Sequence, residues 1–197
     1  MITFIGCDIF REEFEWVLAR HPEIQSSGLW LKAGLHNDIN LLEEKLNEAF
    51  GETLDQDPQN NGPMDLRLLI GNGCLPHMPE IAKTRGLPLL KFKNCLEAIL
   101  GVAKLRELEQ NRTMVITPSW LRKAWFAEDG MRALLGWDNT DFRQNFGRYD
   151  RILVLDPGFE PLTDMEILEA FEVIEVPIEV EPLSLDTFEA VITEFFN

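Results

Sequence analysis

Apolar and polar positions fall into short blocks along this chain, and the period of the pattern changes from block to block. Met1 to Gly6, MITFIG, is an apolar run too short for a helix and reads as a buried strand. Asp8 is placed to cap the helix that follows, where Phe10, Phe14, Val17 and Leu18 share one face and His21-Pro22 marks the end. Residues 28–35, GLWLKAGL, read as a second strand, followed by His36. Asn37 or Asp38 then caps a helix that sets Ile39, Leu42, Leu46 and Phe50 on one stripe and stops at Gly51. Residues 55–63, DQDPQNNGP, read as a surface loop. A third strand over 65–70, DLRLLI, runs into the turn Gly71-Asn72-Gly73-Cys74. A short helix from about Pro79 to Arg85 is ended by Gly86, and Leu87 to Phe92 reads as a fourth strand.

Asn94 caps a helix expected to begin at Cys95 and run to about Glu109. Thr113 to Ile116 is a fifth strand, and Thr117-Pro118 supplies a cap with proline at the first helical position for a segment containing Trp120 and Trp125. Met131 to Phe146 reads as helix in pieces, and Arg151 to Leu155 as a sixth strand ending in Asp156-Pro157-Gly158. Thr163 and Glu166 have capping-box spacing for a helix to Phe171. Val173 to Val180, interrupted by Pro177, reads as a last strand at a sheet edge, before a closing helix from Leu185 to Phe196. Strands that alternate with helices throughout predict an α/β fold: a mainly parallel sheet with helices on both faces, a three-layer sandwich of the Rossmann-like or flavodoxin-like kind.

Length and charge narrow this further. The 197 residues suit a single α/β domain over 1–197. The net charge of −16, from 34 acids against 18 bases, opposes binding to nucleic acid or anionic lipid, and Lys91, Lys93, Arg122 and Lys123 are too sparse to form a basic patch. No apolar run approaches the roughly 20 residues of a membrane span, and the start lacks the basic and long apolar regions of a signal peptide. The expected location is the cytoplasm. Three cysteines, an odd number, argue against a disulfide framework.

The candidate chemistry comes from where those cysteines fall. In an open parallel sheet, ligands bind beyond the carboxyl ends of the strands. Cys7 follows the first expected strand, His36 the second, Cys74 the third and Cys95 the fourth. Four consecutive strand-to-helix junctions would then face one crevice. Cysteine is commonly a core hydrophobe, and a lone one would be read that way. The recurrence at strand ends favours a metal site, zinc or an iron–sulfur cluster, with Cys7, Cys74 and Cys95 as ligands and His36 as a fourth ligand or nearby polar group. Gly71, Asn72 and Gly73 would let the backbone approach the bound group. The ligands are far apart in sequence, with no CxxC pattern. A further reading makes Cys95 a nucleophile at a helix N-terminus, with His36 or His77 as base. Asp8 and Asp156 read as cap and turn; Trp120, Trp125 and Trp137 are candidates to line a pocket, with core packing the favoured reading for most of them. Nucleotide binding is disfavoured, because neither GxGxxG nor a Walker lysine is present.

Gly6-Cys7 with Arg11-Glu12-Glu13, Leu35-His36, Gly71-Asn72-Gly73-Cys74, Asn94-Cys95-Leu96 to Leu100-Gly101, and Thr117-Pro118-Ser119-Trp120 occur in an order that resembles the family called domain of unknown function 1638. The resemblance covers roughly residues 2–180. It departs at Lys93-Asn94, where many members are expected to carry Tyr or Gly before the third cysteine. The resemblance implies cysteines matching Cys7, Cys74 and Cys95 and a setting in anaerobic organisms beside corrinoid-dependent methyl-transfer systems. The expectation that follows is a metal-binding protein of anaerobic one-carbon metabolism, with a corrinoid protein or methyltransferase as partner. The alternative is a non-catalytic accessory or small-molecule-binding module that docks a partner protein. Whether the chain is an enzyme, and its oligomeric state, stay open at this point.

Overall fold

Short runs dense in branched and aromatic side chains become strands where both of their faces can be covered. The computed structural model describes residues 1–55, 65–128 and 130–197. Its first sheet has β1 (Ile2–Cys7) at the centre, flanked by β2 (Ser26–Leu31) and β3 (Leu66–Leu69), all parallel. The second has β5 (Arg151–Asp156) at the centre, flanked by β4 (Thr113–Ile116) and β6 (Ile178–Pro182), again all parallel. The helices are α1 (Arg11–Arg20), α2 (Ile39–Asp55), α3 (Met78–Arg85), α4 (Cys95–Leu100), α5 (Val102–Glu109), α6 (Met131–Leu135), α7 (Asn139–Phe146), α8 (Asp164–Ile174) and α9 (Asp186–Phe196). The α/β class with parallel strands and helical layers is therefore as the sequence pattern predicts. Among the described residues no helix is long and apolar enough to cross a membrane.

Successive residues of β1 point to opposite faces, and each face finds a different core. Ile5 joins Leu42, Leu46, Phe50 and Leu68 beneath α2 and α3. Phe4 faces the larger cluster, which also holds Phe14 of α1, Phe188 and Phe196 of α9, and Val115 and Leu153 of the second sheet. The two sheets thus share one apolar cluster. The closing helix α9 packs on both α1 and α4, and Phe188 stacks on Phe10 at 5.6 Å between ring centroids.

The expected single sheet is instead two sheets of three strands. The break falls at the expected fourth strand. Residues 87–92 meet β3 through an isolated bridge between Leu68 and Leu89. Pro88 has no N–H to give to a ladder, though its carbonyl accepts from Leu68 N at 2.8 Å. Other boundaries shift for local reasons. β2 starts and ends earlier than the run GLWLKAGL, so His36 lies in a 3₁₀ turn five residues beyond the strand. α2 continues through Gly51. The helix expected over 95–109 breaks at Gly101, whose φ of 78° leaves the helical region, giving α4 and α5. Asp8 does not cap α1. It lies in a 3₁₀ turn against Arg11 Nε at 2.7 Å, too oblique for a hydrogen bond. Thr117 does not cap with its hydroxyl, which is buried without a hydrogen-bond partner; the segment beyond it, Trp120–Trp125, is a π-helix. Caps at Asp38, Asn94 and Thr163 form as expected. The expected loop over 55–63 lies, beyond Asp55, outside the described residues.

Candidate functional site

A cavity of about 550 Å³ opens where the carboxyl end of the first sheet meets the outer edge of the second. Cys7 reaches it as the last residue of β1, Cys74 from the turn after β3, and Cys95 as the first residue of α4. The opposite wall is β4 itself: Thr113, Met114, Val115 and Ile116 all line the cavity, because β4 pairs with β5 on one side and faces the cleft on the other. Trp120, Tyr149 and Phe10 make the rest of the wall partly aromatic.

The three thiols therefore do meet at one cleft, with His36, Gly71 and Gly73 on its lining. Asn72 does not line it; its N–H donates to the Phe92 carbonyl at 2.8 Å. The expected approach of Gly71 and Gly73 to a bound group is an approach to the protein's own chain. A Cβ on Gly71 would come within 2.5 Å of the Lys93 carbonyl oxygen and 2.9 Å of Asn94 Cα, and one on Gly73 within 3.0 Å of the same oxygen.

Burial sets the chemistry of the thiols. It pushes Cys7 far above the ordinary thiol value of 9.0, with the nearby Cys95 and Cys74 raising it further. Burial pushes Cys95 up to about 12, against the Trp120 indole N–H, which donates to Cys95 Sγ at 3.3 Å and favours the thiolate. Cys74 is raised as well, for the same first cause. All three are thiols, not thiolates, at neutral pH. His36 stands at the cavity rim where solvent reaches it, yet enough protein surrounds the ring that desolvation lowers its pKa below 6.5; the ring meets Trp120 edge-on at 5.8 Å.

This corrects the metal reading. Among the described residues no group of three or more His, Cys, Asp or Glu side chains is disposed to hold a metal ion. Zinc and iron–sulfur clusters alike need ligand atoms converging on a common centre. Here the thiols share a cleft wall without such convergence, and His36 turns its ring to Trp120. The reading of Cys95 as an activated nucleophile is corrected too: the short helix α4 behind it does not offset its desolvation. His77 lies outside the cleft, 3.4 Å from Glu43.

Sequence reasoning missed Glu13. This carboxylate is 1% exposed, with Oε2 lacking a hydrogen-bond partner. Burial, then the charge of Glu12, raises its pKa from 4.5 to about 7, and Lys123 opposes the rise. Its neighbours form a polar layer under the π-helix, where Ser119 Oγ donates to Glu12 Oε2 at 2.9 Å and Lys123 pairs with Glu12 at 3.1 Å. The signal was available: position 13 lies three residues after Phe10 and four before Val17, on the buried stripe of α1. The β4 wall was also missed, because a strand in an unbroken sheet has no free edge.

Fold and site together define a parallel α/β protein with a ligand-sized cleft between two half-sheets, walled by a strand edge, aromatic rings and three neutral thiols. The chain belongs to the family described as protein of unknown function DUF1638, whose model matches residues 30–192. No curated protein and no solved structure matches the chain.

Proposed function

We propose that the protein binds a small organic molecule in this cleft. The observation that carries the proposal is the cavity of about 550 Å³ at the carboxyl end of the first sheet. That volume lies within the range of roughly 300–1,000 Å³ typical of small-molecule sites, at the place where open α/β sheets hold ligands. Phe10, Met114, Ile116 and Trp120 favour an apolar or aromatic body on the ligand. Backbone groups along the cleft side of β4, with Lys93 and Tyr149, offer donors and acceptors to orient it. The thiols contribute as neutral, polarisable contacts. Their free state suits a reducing compartment such as the cytoplasm. A corrinoid protein or methyltransferase as partner rests on the family resemblance alone.

The test uses a neutral polarity-sensitive dye, Nile red, as probe. Wild-type protein should enhance its fluorescence saturably. Leu96→Trp and Met114→Phe, both of which fill the cleft from its wall, should each weaken binding at least tenfold with unchanged circular dichroism. Dye binding that both variants leave untouched, or no saturable binding to the wild type, would refute the proposal.

A further inference from the structure

Among the described residues β4 pairs only with β5, and the register shows which of its backbone groups that leaves over. Along a strand the N–H and C=O of one residue point to one side and those of the next residue to the other. Ile152 N donates to Pro177 O at 2.8 Å, and Asp156 O accepts from Leu183 N at 2.8 Å, so Ile152, Val154 and Asp156 of β5 turn their groups to β6. Arg151, Leu153 and Leu155 then turn theirs to β4. Leu153 stands opposite Val115, and in a parallel pair its groups reach the residues on either side of that partner, Met114 and Ile116. Thr113 and Val115 therefore turn their N–H and C=O away from β5, to the free edge.

The cleft runs along that edge. Successive side chains of a strand point to opposite faces, so a cavity lined by Thr113, Met114, Val115 and Ile116 in turn lies against the backbone edge and not on one face. Thr113 is 1% exposed and Val115 2%, and among the described residues no other backbone group hydrogen-bonds the N–H or C=O of either. The bond that Thr113 does accept, from Arg151 Nε at 3.1 Å, goes to its hydroxyl. Buried backbone groups are almost always paired, and leaving them unpaired is costly, so this row of groups in a ligand-sized cleft points to a ligand that pairs them.

We propose that the cleft takes a short, apolar peptide in extended form, which joins β4 as an added strand. This rests on the reading of the cleft as a ligand site and names the class of ligand. Thr113 and Val115 present donor, acceptor, donor and acceptor in order along the edge. In an antiparallel pair, residues directly opposite exchange both hydrogen bonds. The first residue of a bound tripeptide, opposite Val115, and its third, opposite Thr113, would meet all four groups, and the second residue would turn its N–H and C=O away. A flat heterocycle with one donor beside one acceptor meets only two of them. Four strand residues span roughly 13 Å, the length of a tripeptide with blocked ends. Cys7, Cys74 and Cys95 close the wall across from β4, and a volume of about 550 Å³ suits a free oligopeptide and not a strand of a folded partner. Phe10, Met114 and Trp120 favour apolar side chains on it.

The test uses the full chain and the probe N-acetyl-Leu-Ala-Leu-methylamide, followed by NMR. The peptide should bind saturably, with a dissociation constant of about 1 mM or tighter, and displace Nile red. The amide protons of Thr113 and Val115 should move downfield as they gain partners, more than those of Met114 and Ile116, which β5 already holds. An ester oxygen in place of the third residue's N–H keeps the shape of the peptide and removes a donor to Thr113, and should weaken binding about tenfold. The same replacement at the second residue should weaken it less than about twofold, since that N–H faces away from β4. Equal effects of the two esters, or peptide binding that Leu96→Trp leaves unchanged, would overturn the proposal. Saturable Nile red binding with no peptide binding would overturn it as well and leave the small-molecule reading standing, whereas failure of both probes would sink that reading and this one with it.

Discussion

Glu13 gives the sharpest quantitative test of how this interior is built. It is 1% exposed, and its pKa rises from 4.5 to about 7, chiefly from burial. A carboxyl whose folded-state pKa is raised holds its proton more tightly when folded. Below pH 4.5 it is protonated in both states and costs nothing. Between pH 4.5 and about 7 the unfolded chain ionises while the folded one does not, so stability falls as pH rises; above about 7 the loss is complete. At ~1.4 kcal/mol per pH unit the full loss is roughly 3 kcal/mol. Glu13→Gln removes the titration and keeps the shape. It adds a constant cost of about 1 kcal/mol for a buried amide that lacks partners. That constant cancels when two pH values are compared, as do groups common to both proteins. Urea unfolding of both at pH 5 and pH 8 should therefore show the difference moving by roughly 2–3 kcal/mol in favour of the glutamine variant at the higher pH. Parallel stability curves for the two proteins would refute the argument and mean that Glu13 ionises in the fold as readily as outside it.

Gly71→Ala drives a Cβ to 2.5 Å from the Lys93 carbonyl and should cost about 1–3 kcal/mol in chemical denaturation. Gly51→Ala, within α2 with nothing inside 4 Å, should add about 0.5–1 kcal/mol of stability by the same assay. Asn94→Ala removes the side chain that accepts from Glu97 N at 2.9 Å and should cost about 1 kcal/mol, with amide exchange quickening first in α4. Arg122 donates to Glu166 at 2.6 and 3.1 Å and holds its pKa down at about 2, so Arg122→Ala should move the Glu166 carboxyl titration, followed by NMR, up toward 4.5.

Much of the fold could be read from local pattern, because local forces make it. Ile2 to Cys7, Leu66 to Leu69 and Arg151 to Asp156 are apolar runs that any covered sheet would take, and Asn94, Asp38 and Thr163 sit at caps because an oxygen there satisfies a helix N–H. Boundaries slipped where a glycine decided them. Gly51 stays helical as α2 runs on to Asp55, while Gly101 breaks a helix because its φ of 78° lets the chain leave α4 and start α5. Of the site, the arrival of Cys7, Cys74 and Cys95 at one cleft was legible, since strand ends of a parallel sheet gather at one rim. Their ionisation state was not, because it depends on how far neighbouring segments close over the sulfur. Glu13 was hidden in the acidic stretch from Asp8 to Glu15, where composition suggests solvent and only helical phase reveals burial.

The misread fourth strand explains the site itself. Had Leu87 to Phe92 paired fully on both sides, the two half-sheets would have zipped into one, and β4 would have spent its free edge on a neighbour. Pro88 weakens the ladder early, and the segment then follows the β3 turn closely enough to press Lys93 and Asn94 onto Gly71 and Gly73. The sheet opens there, leaving a cleft with β4 as its wall. The glycines at 71 and 73 thus act through the protein's own backbone. A substitution at Gly71 should therefore lower stability in chemical denaturation with the cleft empty or filled, whereas one at a residue that only contacted ligand would leave the stability of the empty protein unchanged.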